Sequence, residues 1–394
     1  MENKKIRIGI VGSGFAAKLH FNAYAKISRN DIEIVCVYSK DKQRCNHFAK
    51  QMGIKPVFSF EELLENVDIV DLCVPGYVHE KYTIQALAYD KYVIVEKPFT
   101  GYYGPDEKKD FLGNQFSKEI MLKESLASAR RMLEAEKNSK GMIFYAEDWI
   151  YSPIVQKEVE ILKETKGQII RFLGEESHSG SHSDSYGIWQ QSGGGSLVGK
   201  GCHPVSTILY LKNIEGIIRN GKPILAKKVS SRVHELTRSP YYIDMGYLRK
   251  DYHDIEDYAY IHIVFEDGMV ADIFASEVVM GGVNNYFEIF ANNHRVRCNL
   301  GHSNLIQLFN PLEKQLKNIY IVEKIETKQG WSFPSPDEDW MFGYPQELND
   351  FIQCYLTGKK PKSDSELGFY TVAVLYSAYL SAERKGQEVV IPLK

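Results

Sequence analysis

The chain has 394 residues, a formal net charge of −3 and 44% hydrophobic residues, with six scattered cysteines. At roughly 150 residues per domain, this length predicts two or three folded domains. The near-neutral charge leaves no basic surface for nucleic acid, and no apolar run reaches the length of about 18 residues that a membrane span needs. The cysteines have no zinc-site spacing and the N-terminus has no signal-peptide pattern, so we expect a cytoplasmic protein.

The first 98 residues alternate short apolar runs with helical patterns. The runs predict strands at 6–11, 32–38, 69–74 and 92–95, with helices between them. Gly53 can end the second helix, and Ser59 with Glu62 has the spacing of a capping box ahead of the third. Strands that are apolar without strict alternation indicate a parallel sheet covered on both faces. This part of the chain therefore predicts a doubly wound α/β domain.

The pattern changes after Pro98. Residues 99–118 have no clear period and are interpreted as an inserted surface loop, followed by a helix at 119–138 and a strand at 142–146. Ser152-Pro153 then opens a helix. From residue 167 the chain is rich in strands, with hairpins at Asp267-Gly268 and Asn292-Asn293, and helices at 344–356 and 367–383 end it. We predict an α/β domain over 1–146 and an α+β domain with a large, mainly antiparallel sheet over 147–394.

A glycine-rich turn follows the first predicted strand directly. Residues 12–17 have the spacing G-x-G-x-x-A and open a helix, which is the context in which this pattern binds a dinucleotide. The first glycine permits a tight turn, the second lets the backbone approach a pyrophosphate, and the alanine lets the helix pack closely. The predicted contacts with the dinucleotide are made by Gly12, Ser13, Gly14, Phe15 and Ala16.

The choice between NAD and NADP depends on the end of the second strand. Counting about 20 residues onward selects Asp31 or Glu33, but both come at the start of that strand. Ligands bind beyond the carboxyl ends of parallel strands, where Ser39 and Lys40 lie. A hydroxyl and an ammonium group accept a 2′-phosphate, which favours NADP slightly; in the alternative, Lys40 only decorates an exposed helix start.

Glu96-Lys97-Pro98 follows the last predicted strand of this sheet. Lys97 should therefore lie at the carboxyl edge, facing the cofactor. The positive charge of an oxidised nicotinamide would lower the pKa of a neighbouring ammonium group and suit it to proton transfer. A lysine at a strand end is, in the alternative, an ordinary solvated charge.

Four segments together resemble the Gfo/Idh/MocA oxidoreductase family, and the resemblance extends over most of the chain. They are IGIVGSGFAAKLH from residue 8, VPGYVH from 74, VIVEKP from 93 and GGGSLVGKGCH from 193. The resemblance implies a Rossmann domain followed by an α+β domain with an open sheet that commonly mediates homo-oligomerisation, as a dimer or tetramer. It also implies nicotinamide-dependent oxidation or reduction of sugars, cyclitols and related polyols.

By the same resemblance, Lys97 and His203 are the implied catalytic residues. Lys97 is near the nicotinamide and the substrate hydroxyl, and His203 exchanges the hydroxyl proton. Pro75, His79 and Glu96 line the cofactor cleft. The family's aspartate four residues before the histidine is Gly199 here, and a second frequent acidic position is Ser206.

The polar segment 175–184 could supply replacements for the missing carboxylate or could be a solvated loop. We include His178, His182 and Lys200 as candidate substrate contacts. Imidazole and carboxylate groups also suit a metal, and Glu176, His178, His182 and Asp184 supply both. Their spacing matches no standard site, so no metal is predicted.

The leading hypothesis is an NAD(P)-dependent dehydrogenase or reductase acting on a sugar, cyclitol or glycoside. In it, His203 takes the hydroxyl proton while Lys97 stabilises the developing alkoxide. One alternative is a redox-neutral enzyme that processes glycosides by transient oxidation and elimination. Another is a nucleotide sensor without catalysis, since the fold alone does not establish activity.

Overall fold

The first sheet has six parallel strands in the order β3-β2-β1-β4-β5-β6. The structure is a computed structural model that describes residues 5–105, 111–181, 183, 185–301 and 304–393. This strand order is that of a Rossmann dinucleotide-binding sheet. The strands are β1 Ile6–Val11, β2 Ile32–Tyr38, β3 Lys55–Val57, β4 Ile69–Leu72, β5 Tyr92–Glu96 and β6 Ile143–Ala146.

Helices cover both faces of this sheet, as the apolar strands require. They are α1 Phe15–Ala25, α2 Lys42–Met52, α3 Phe60–Asn66, α4 His79–Ala88 and α5 Lys118–Lys137. The predicted ends of two of them are confirmed. Gly53 ends α2 in the left-handed conformation at φ 70°, and the Ser59 side chain accepts a hydrogen bond from the Glu62 backbone N–H at the start of α3.

The second sheet has seven strands in the order β12-β11-β7-β10-β9-β8-β15. Only β7 and β10 pair in parallel, and every other neighbour is antiparallel. Both predicted hairpins are present, as β9–β10 and β11–β12. The strands are β7 Ile169–Ser177, β8 Ala226–His234, β9 Tyr258–Phe265, β10 Val270–Ser276, β11 Asn284–Ala291, β12 Arg295–Asn299 and β15 Val389–Val390; a separate pair comprises β13 Leu308–Asn310 and β14 Gly330–Ser332.

The remaining helices follow the first sheet in the chain. They are α6 Pro153–Thr165, α7 Trp189–Ser192, α8 Ser196–Gly199, α9 Cys202–Asn220, α10 Glu338–Phe342, α11 Tyr344–Thr357 and α12 Ser365–Glu383. The last helix, α12, packs against α5 of the first half and against α9 and β8 of the second. The two halves therefore share one continuous apolar core. None of the described helices is both long enough and apolar enough to cross a membrane.

The segment 99–118 differs from its prediction as a surface loop. Phe99, Thr100 and Phe111 are buried, and the Tyr102 backbone N–H donates to the Tyr376 hydroxyl of α12 over 2.7 Å. The Trp189 indole donates in turn to the Tyr102 carbonyl over 3.0 Å. Its aromatic residues, which gave no period in the sequence, thus pack the segment between the two halves; residues 106–110 lie outside the described residues.

Candidate active site

The glycine turn has the geometry that a dinucleotide requires. Gly12 has a φ of +115°, and a Cβ there would lie 2.1 Å from the Cys73 carbonyl oxygen, so no other residue fits. A Cβ at Gly14 would meet no atom within 4 Å, so the turn leaves open space at the N-terminus of α1. Ala17 is fully buried, which lets α1 pack closely on the sheet. The turn and the helix N-terminus therefore fit a pyrophosphate.

The carboxyl end of β2 carries the residues predicted for the ribose. The Ser13 hydroxyl donates to the Ser39 hydroxyl over 3.1 Å, and Lys40 is exposed beside it. Asp41, the nearest carboxylate in sequence, accepts hydrogen bonds from backbone N–H groups at the start of α2. Asp31 lies at the opposite end of the strand and pairs with Arg29. A cation and two hydroxyls thus lie at the carboxyl end of β2, where the ribose of a dinucleotide is expected.

Pro75 and His79 lie in the turn after β4. Pro75 is exposed, whereas His79 is fully buried. The His79 ring nitrogens contact backbone carbonyls, with Nδ1 3.0 Å from the Pro98 oxygen and Nε2 2.8 Å from the Val74 oxygen. His79 therefore links the turn that follows β4 to the turn that follows β5. Its predicted contact with the cofactor stays a prediction.

Lys97 links the two halves of the chain. Its ammonium group donates to the Gly199 carbonyl oxygen over 3.1 Å, and its backbone N–H donates to the Glu96 carboxylate over 2.9 Å. Burial lowers the pKa of Lys97, but Cys202, Glu176, Glu96 and Asp148 together raise it above its ordinary value. The protein's own groups thus oppose the lowering expected from an oxidised nicotinamide, and they keep the amine charged.

A buried histidine holds Glu96 in place. His20 Nε2 lies 2.9 Å from Glu96 Oε1, and His20 Nδ1 lies 3.0 Å from both Asp71 oxygens. Burial lowers the pKa of His20, but attraction to Asp71 outweighs it and raises that pKa well above 6.5. The imidazolium and its two carboxylates form a charge network that fixes the backbone at Lys97.

His203 lies in the first turn of α9, surrounded by carboxylates. Its Nδ1 is 2.5 Å from Glu147 Oε1 and 3.3 Å from Asp148 Oδ1, while its Nε2 is 3.6 Å from Glu176 Oε2. The Trp149 ring stacks on the imidazole at 5.6 Å between centroids and an interplanar angle of 18°. Burial lowers the pKa of His203. A neutral imidazole held at Nδ1 can accept a proton at Nε2.

The carboxyl groups around His203 have raised pKa values. Burial raises the pKa of Glu147 to about 8, and it raises the pKa values of Asp148 and Glu176 to about 7. These shifts keep several acids near the midpoint of their titration at neutral pH, which is typical of proton-transfer sites.

The candidate substrate residues lie next to this cluster. Lys200 is 2% exposed, and its ammonium group pairs with Glu277 and donates to the Ser181 hydroxyl over 3.3 Å. His178 Nδ1 accepts the Gly180 backbone N–H over 3.1 Å and lies 3.6 Å from Glu277 Oε2. His182 and Asp184 lie outside the described residues. The roles of His178 and Lys200 as substrate contacts stay predictions.

The position of the missing aspartate is filled by an aromatic ring. A Cβ at Gly199 would lie 2.8 Å from Tyr186 Cε2 and 2.9 Å from the Tyr186 hydroxyl oxygen. A side chain at residue 199 would therefore require Tyr186 to move. The other position, Ser206, forms a buried hydroxyl–hydroxyl bond of 2.9 Å with Thr371.

A cavity of about 510 Å³ adjoins the glycine turn, a size suited to a small ligand. Phe15 and Leu19 of α1, Ser179, Lys324 and Tyr344 contribute to its walls. The Lys26 ammonium binds Asp337 and Asp339 over 2.6 and 2.8 Å, which fixes the start of α10 against the end of α1.

Two groups of described residues bring potential metal ligands within 4.8 Å of one another: His20, Asp71 and Cys73, and Glu147, Cys202 and His203. In the first group, Asp71 already accepts hydrogen bonds from Cys73 Sγ and the Tyr24 hydroxyl. In the second group, His203 already pairs with Glu147, and Lys97 supplies a cation nearby.

Sequence reasoning missed Glu147, Asp148 and Trp149. All three directly follow β6. The rule that selected Lys97 after β5, that ligands bind beyond the carboxyl ends of parallel strands, would have selected these residues as well.

The fold and the glycine turn together are those of a dinucleotide-binding oxidoreductase. Residues 6–108 match the oxidoreductase family with an NAD-binding Rossmann fold, and residues 167–391 match its C-terminal α/β domain. The chain therefore belongs to the Gfo/Idh/MocA oxidoreductase family.

Similar proteins include curated enzymes and solved structures. Glucose-6-phosphate 3-dehydrogenase of Bacillus subtilis is 33% identical over 23% of this chain and 26% of its own length. D-glucoside 3-dehydrogenase of Escherichia coli is 30% identical over 25% of this chain and 28% of its own length. The matched segments thus span less than a third of either enzyme.

Solved structures match nearly the whole chain at low identity. GenD2 from gentamicin A biosynthesis, in complex with NAD, has a TM-score of 0.79 at 18% identity and covers 99% of this chain and 97% of its own. The WlbA dehydrogenase from Bordetella pertussis, in complex with NADH and UDP-GlcNAcA, has a TM-score of 0.70 at 17% identity over 100% of both chains. At these identities the likeness concerns the fold.

Proposed function

We propose that the protein is an NAD(P)-dependent dehydrogenase or reductase acting on a CH–OH group of a sugar, cyclitol or glycoside. The observation that supports this most is the contact between Lys97 and the segment that leads into the helix of His203. The Lys97 amine lies 3.1 Å from the carbonyl of Gly199, which precedes the helix of His203, at the carboxyl edge of a sheet with a dinucleotide turn.

The chain's own residues supply the proton chemistry. A bound nicotinamide accepts or returns the hydride. His203 Nε2 accepts the hydroxyl proton during oxidation, while Nδ1 stays oriented by Glu147 at 2.5 Å. The Lys97 ammonium stabilises negative charge on the substrate oxygen, and the surrounding carboxylates keep it protonated. In the reducing direction the same groups return the proton.

Replacement of Lys97 tests this assignment. Lys97→Ala should lower kcat by about 10²- to 10⁴-fold, the usual contribution of a proton-transfer or charge-stabilising group, and leave cofactor affinity largely intact. Absorbance of NAD(P)H with a panel of sugars and polyols measures turnover, and nucleotide fluorescence measures binding. Lys50→Ala, on an exposed position of α2, is the matched control.

A kcat of Lys97→Ala near that of the wild type would overturn the role of this lysine. The same panel separates the alternatives. Product release without net absorbance change would identify a redox-neutral glycoside enzyme, and cofactor binding without any turnover would identify a sensor.

We infer a slight preference for NADP over NAD. The support is the hydroxyl pair of Ser13 and Ser39 beside exposed Lys40, with Asp41 engaged at the start of α2. A 2′-phosphate would add one ion pair with Lys40. Parallel titrations of the wild type with NADH and NADPH test the preference, and tighter binding of NADH would reverse it.

We also propose a homo-oligomer, as a dimer or tetramer, and a cytoplasmic location. All six cysteines are buried free thiols, as suits a reducing compartment. Light scattering of the purified protein gives the subunit number, and a monomer at micromolar concentration would refute the assembly.

A further inference from the structure

The site lacks a carboxylate where its family resemblance implies one. Residue 199 has no side chain, and Tyr186 atoms lie 2.8 to 2.9 Å from the place where its Cβ would be. Lys97 donates to the Gly199 carbonyl oxygen instead. A carboxylate acceptor for the substrate's hydroxyl groups would therefore come from another element.

Glu176 on β7 lies in a suitable position for this role and has a free hydrogen-bond acceptor. Its side chain is 9% exposed and its Oε2 lies 3.6 Å from His203 Nε2, the nitrogen that faces away from Glu147. Among the described residues, this buried oxygen has no hydrogen-bond partner. A buried carboxylate oxygen without a donor is costly, so a ligand that donates a hydrogen bond there would be bound favourably.

The charge of Glu176 is set by burial and by its charged neighbours. Burial raises its pKa, and Asp148 after β6 adds to this, whereas His203 on α9, Lys97 from the first half and Lys200 before α9 lower it. The balance raises the pKa to about 7. The group can thus change charge near neutral pH.

We propose that Glu176 is a further catalytic residue, whose Oε2 binds a substrate hydroxyl beside His203 Nε2 and so replaces the carboxylate that is absent at residue 199. This inference rests on the proposed function. During oxidation, the C–H bond breaks and its hydride passes to the nicotinamide. The O–H bond breaks, its proton passes to His203 Nε2, and a C=O bond forms. Glu176 holds the hydroxyl in line and stabilises the imidazolium.

Substitution by the isosteric amide tests this role. Glu176→Gln should raise KM for the sugar roughly 10- to 100-fold, as expected for loss of a hydrogen bond to a charged group. Affinity for NAD(P)H should stay unchanged. The profile of kcat/KM should lose one ionisation near pH 7 in this variant while the ionisations of Asp148 and Glu147 remain, whereas loss of packing alone would not remove a titrating group from the profile.

Two companion variants sharpen the test. Glu175→Gln is the matched control because it is the next residue of β7 and its side chain points to the opposite face of the sheet. It should keep the wild-type KM and pH profile. Glu176→Asp keeps the charge and should retain the ionisation with a smaller rise in KM, which also decides the case if the amide variant unfolds.

The outcomes separate this inference from the proposed function. If the wild type turns over no sugar or polyol with either cofactor, the proposed function fails. If the wild type is active and Glu176→Gln keeps its KM and pH profile, only the role of Glu176 is overturned.

Discussion

The buried acid beside His203 makes a quantitative prediction about stability. Glu147 is fully buried at the end of β6, and its Oε1 lies 2.5 Å from His203 Nδ1. Burial raises its pKa from 4.5 to about 8, although Lys97 lowers it in part. Glu147→Gln preserves the shape of the side chain and removes its ionisation.

The magnitude follows from proton linkage. Between pH 4.5 and about 8 the folded protein keeps a proton on Glu147 that the unfolded chain releases. The contribution of Glu147 to the free energy of unfolding is therefore largest below pH 4.5 and is lost as the pH rises to about 8. The free energy of unfolding falls over this window by up to ~1.36 kcal/mol per pH unit. Because Asp148 and Glu176 titrate in the same place, we expect Glu147→Gln to gain about 2 to 4 kcal/mol relative to the wild type between pH 5 and pH 8.

Urea unfolding at several pH values measures this difference. The wild type should lose stability more steeply with rising pH than Glu147→Gln, while Glu65→Gln on exposed α3 should run parallel to the wild type. Above about pH 8, where Glu147 of the wild type ionises, the variant should also turn over more slowly, because a neutral amide stabilises the imidazolium of His203 less well than a carboxylate. Parallel curves for all three proteins would refute the argument that burial holds a proton on Glu147.

Three glycine substitutions test the shape of the site. Gly12→Ala should abolish dinucleotide binding and destabilise the fold by about 2 to 4 kcal/mol, since its Cβ would lie 2.1 Å from the Cys73 oxygen at a φ of +115°. Gly14→Ala, whose Cβ meets no atom, should weaken dinucleotide binding without changing the melting temperature of the free protein. Gly199→Asp should lower stability by about 1 to 3 kcal/mol and lower kcat/KM, because its Cβ would overlap Tyr186. In a double-mutant cycle, Gly199→Asp should cost less stability in a Tyr186→Ala background than in the wild type, because the overlapping ring is then absent.

The sequence was a good guide to the first half of the chain. Strands at 6–11 and 32–38 were predicted to the residue, because apolar runs bounded by glycine or charge define parallel strands locally. The cap at Ser59 and the stop at Gly53 followed from local chemistry in the same way.

Packing between residues that are far apart in the chain could not be predicted from the sequence. The segment after Pro98 was predicted to be a surface loop because it is charged and aperiodic. Its aromatic residues instead contact Tyr376 and Trp189, far away in the chain. No local pattern records a contact of that kind.

The site was predicted in part. Lys97 contacts the Gly199 carbonyl in the segment before His203, and the catalytic roles of Lys97 and His203 stay predictions. The role of Tyr186 in excluding a side chain at 199 could not be predicted, because it depends on a fold that brings a loop against α8. Glu147 and Asp148, by contrast, could have been predicted, because ligands bind beyond the carboxyl ends of parallel strands and both residues follow β6.

The contact between the Lys97 ammonium and the Gly199 carbonyl has a consequence for how such an enzyme can be recombined. The amine comes from the nucleotide half, and its acceptor comes from the half that carries the imidazole. A chimaera that joins this nucleotide half to a relative's other half would keep both motifs intact on paper. Such a chimaera would be active only if the backbone at position 199 placed its carbonyl oxygen within hydrogen-bond distance of the lysine amine. The contact surface between the two halves is therefore part of the functional site.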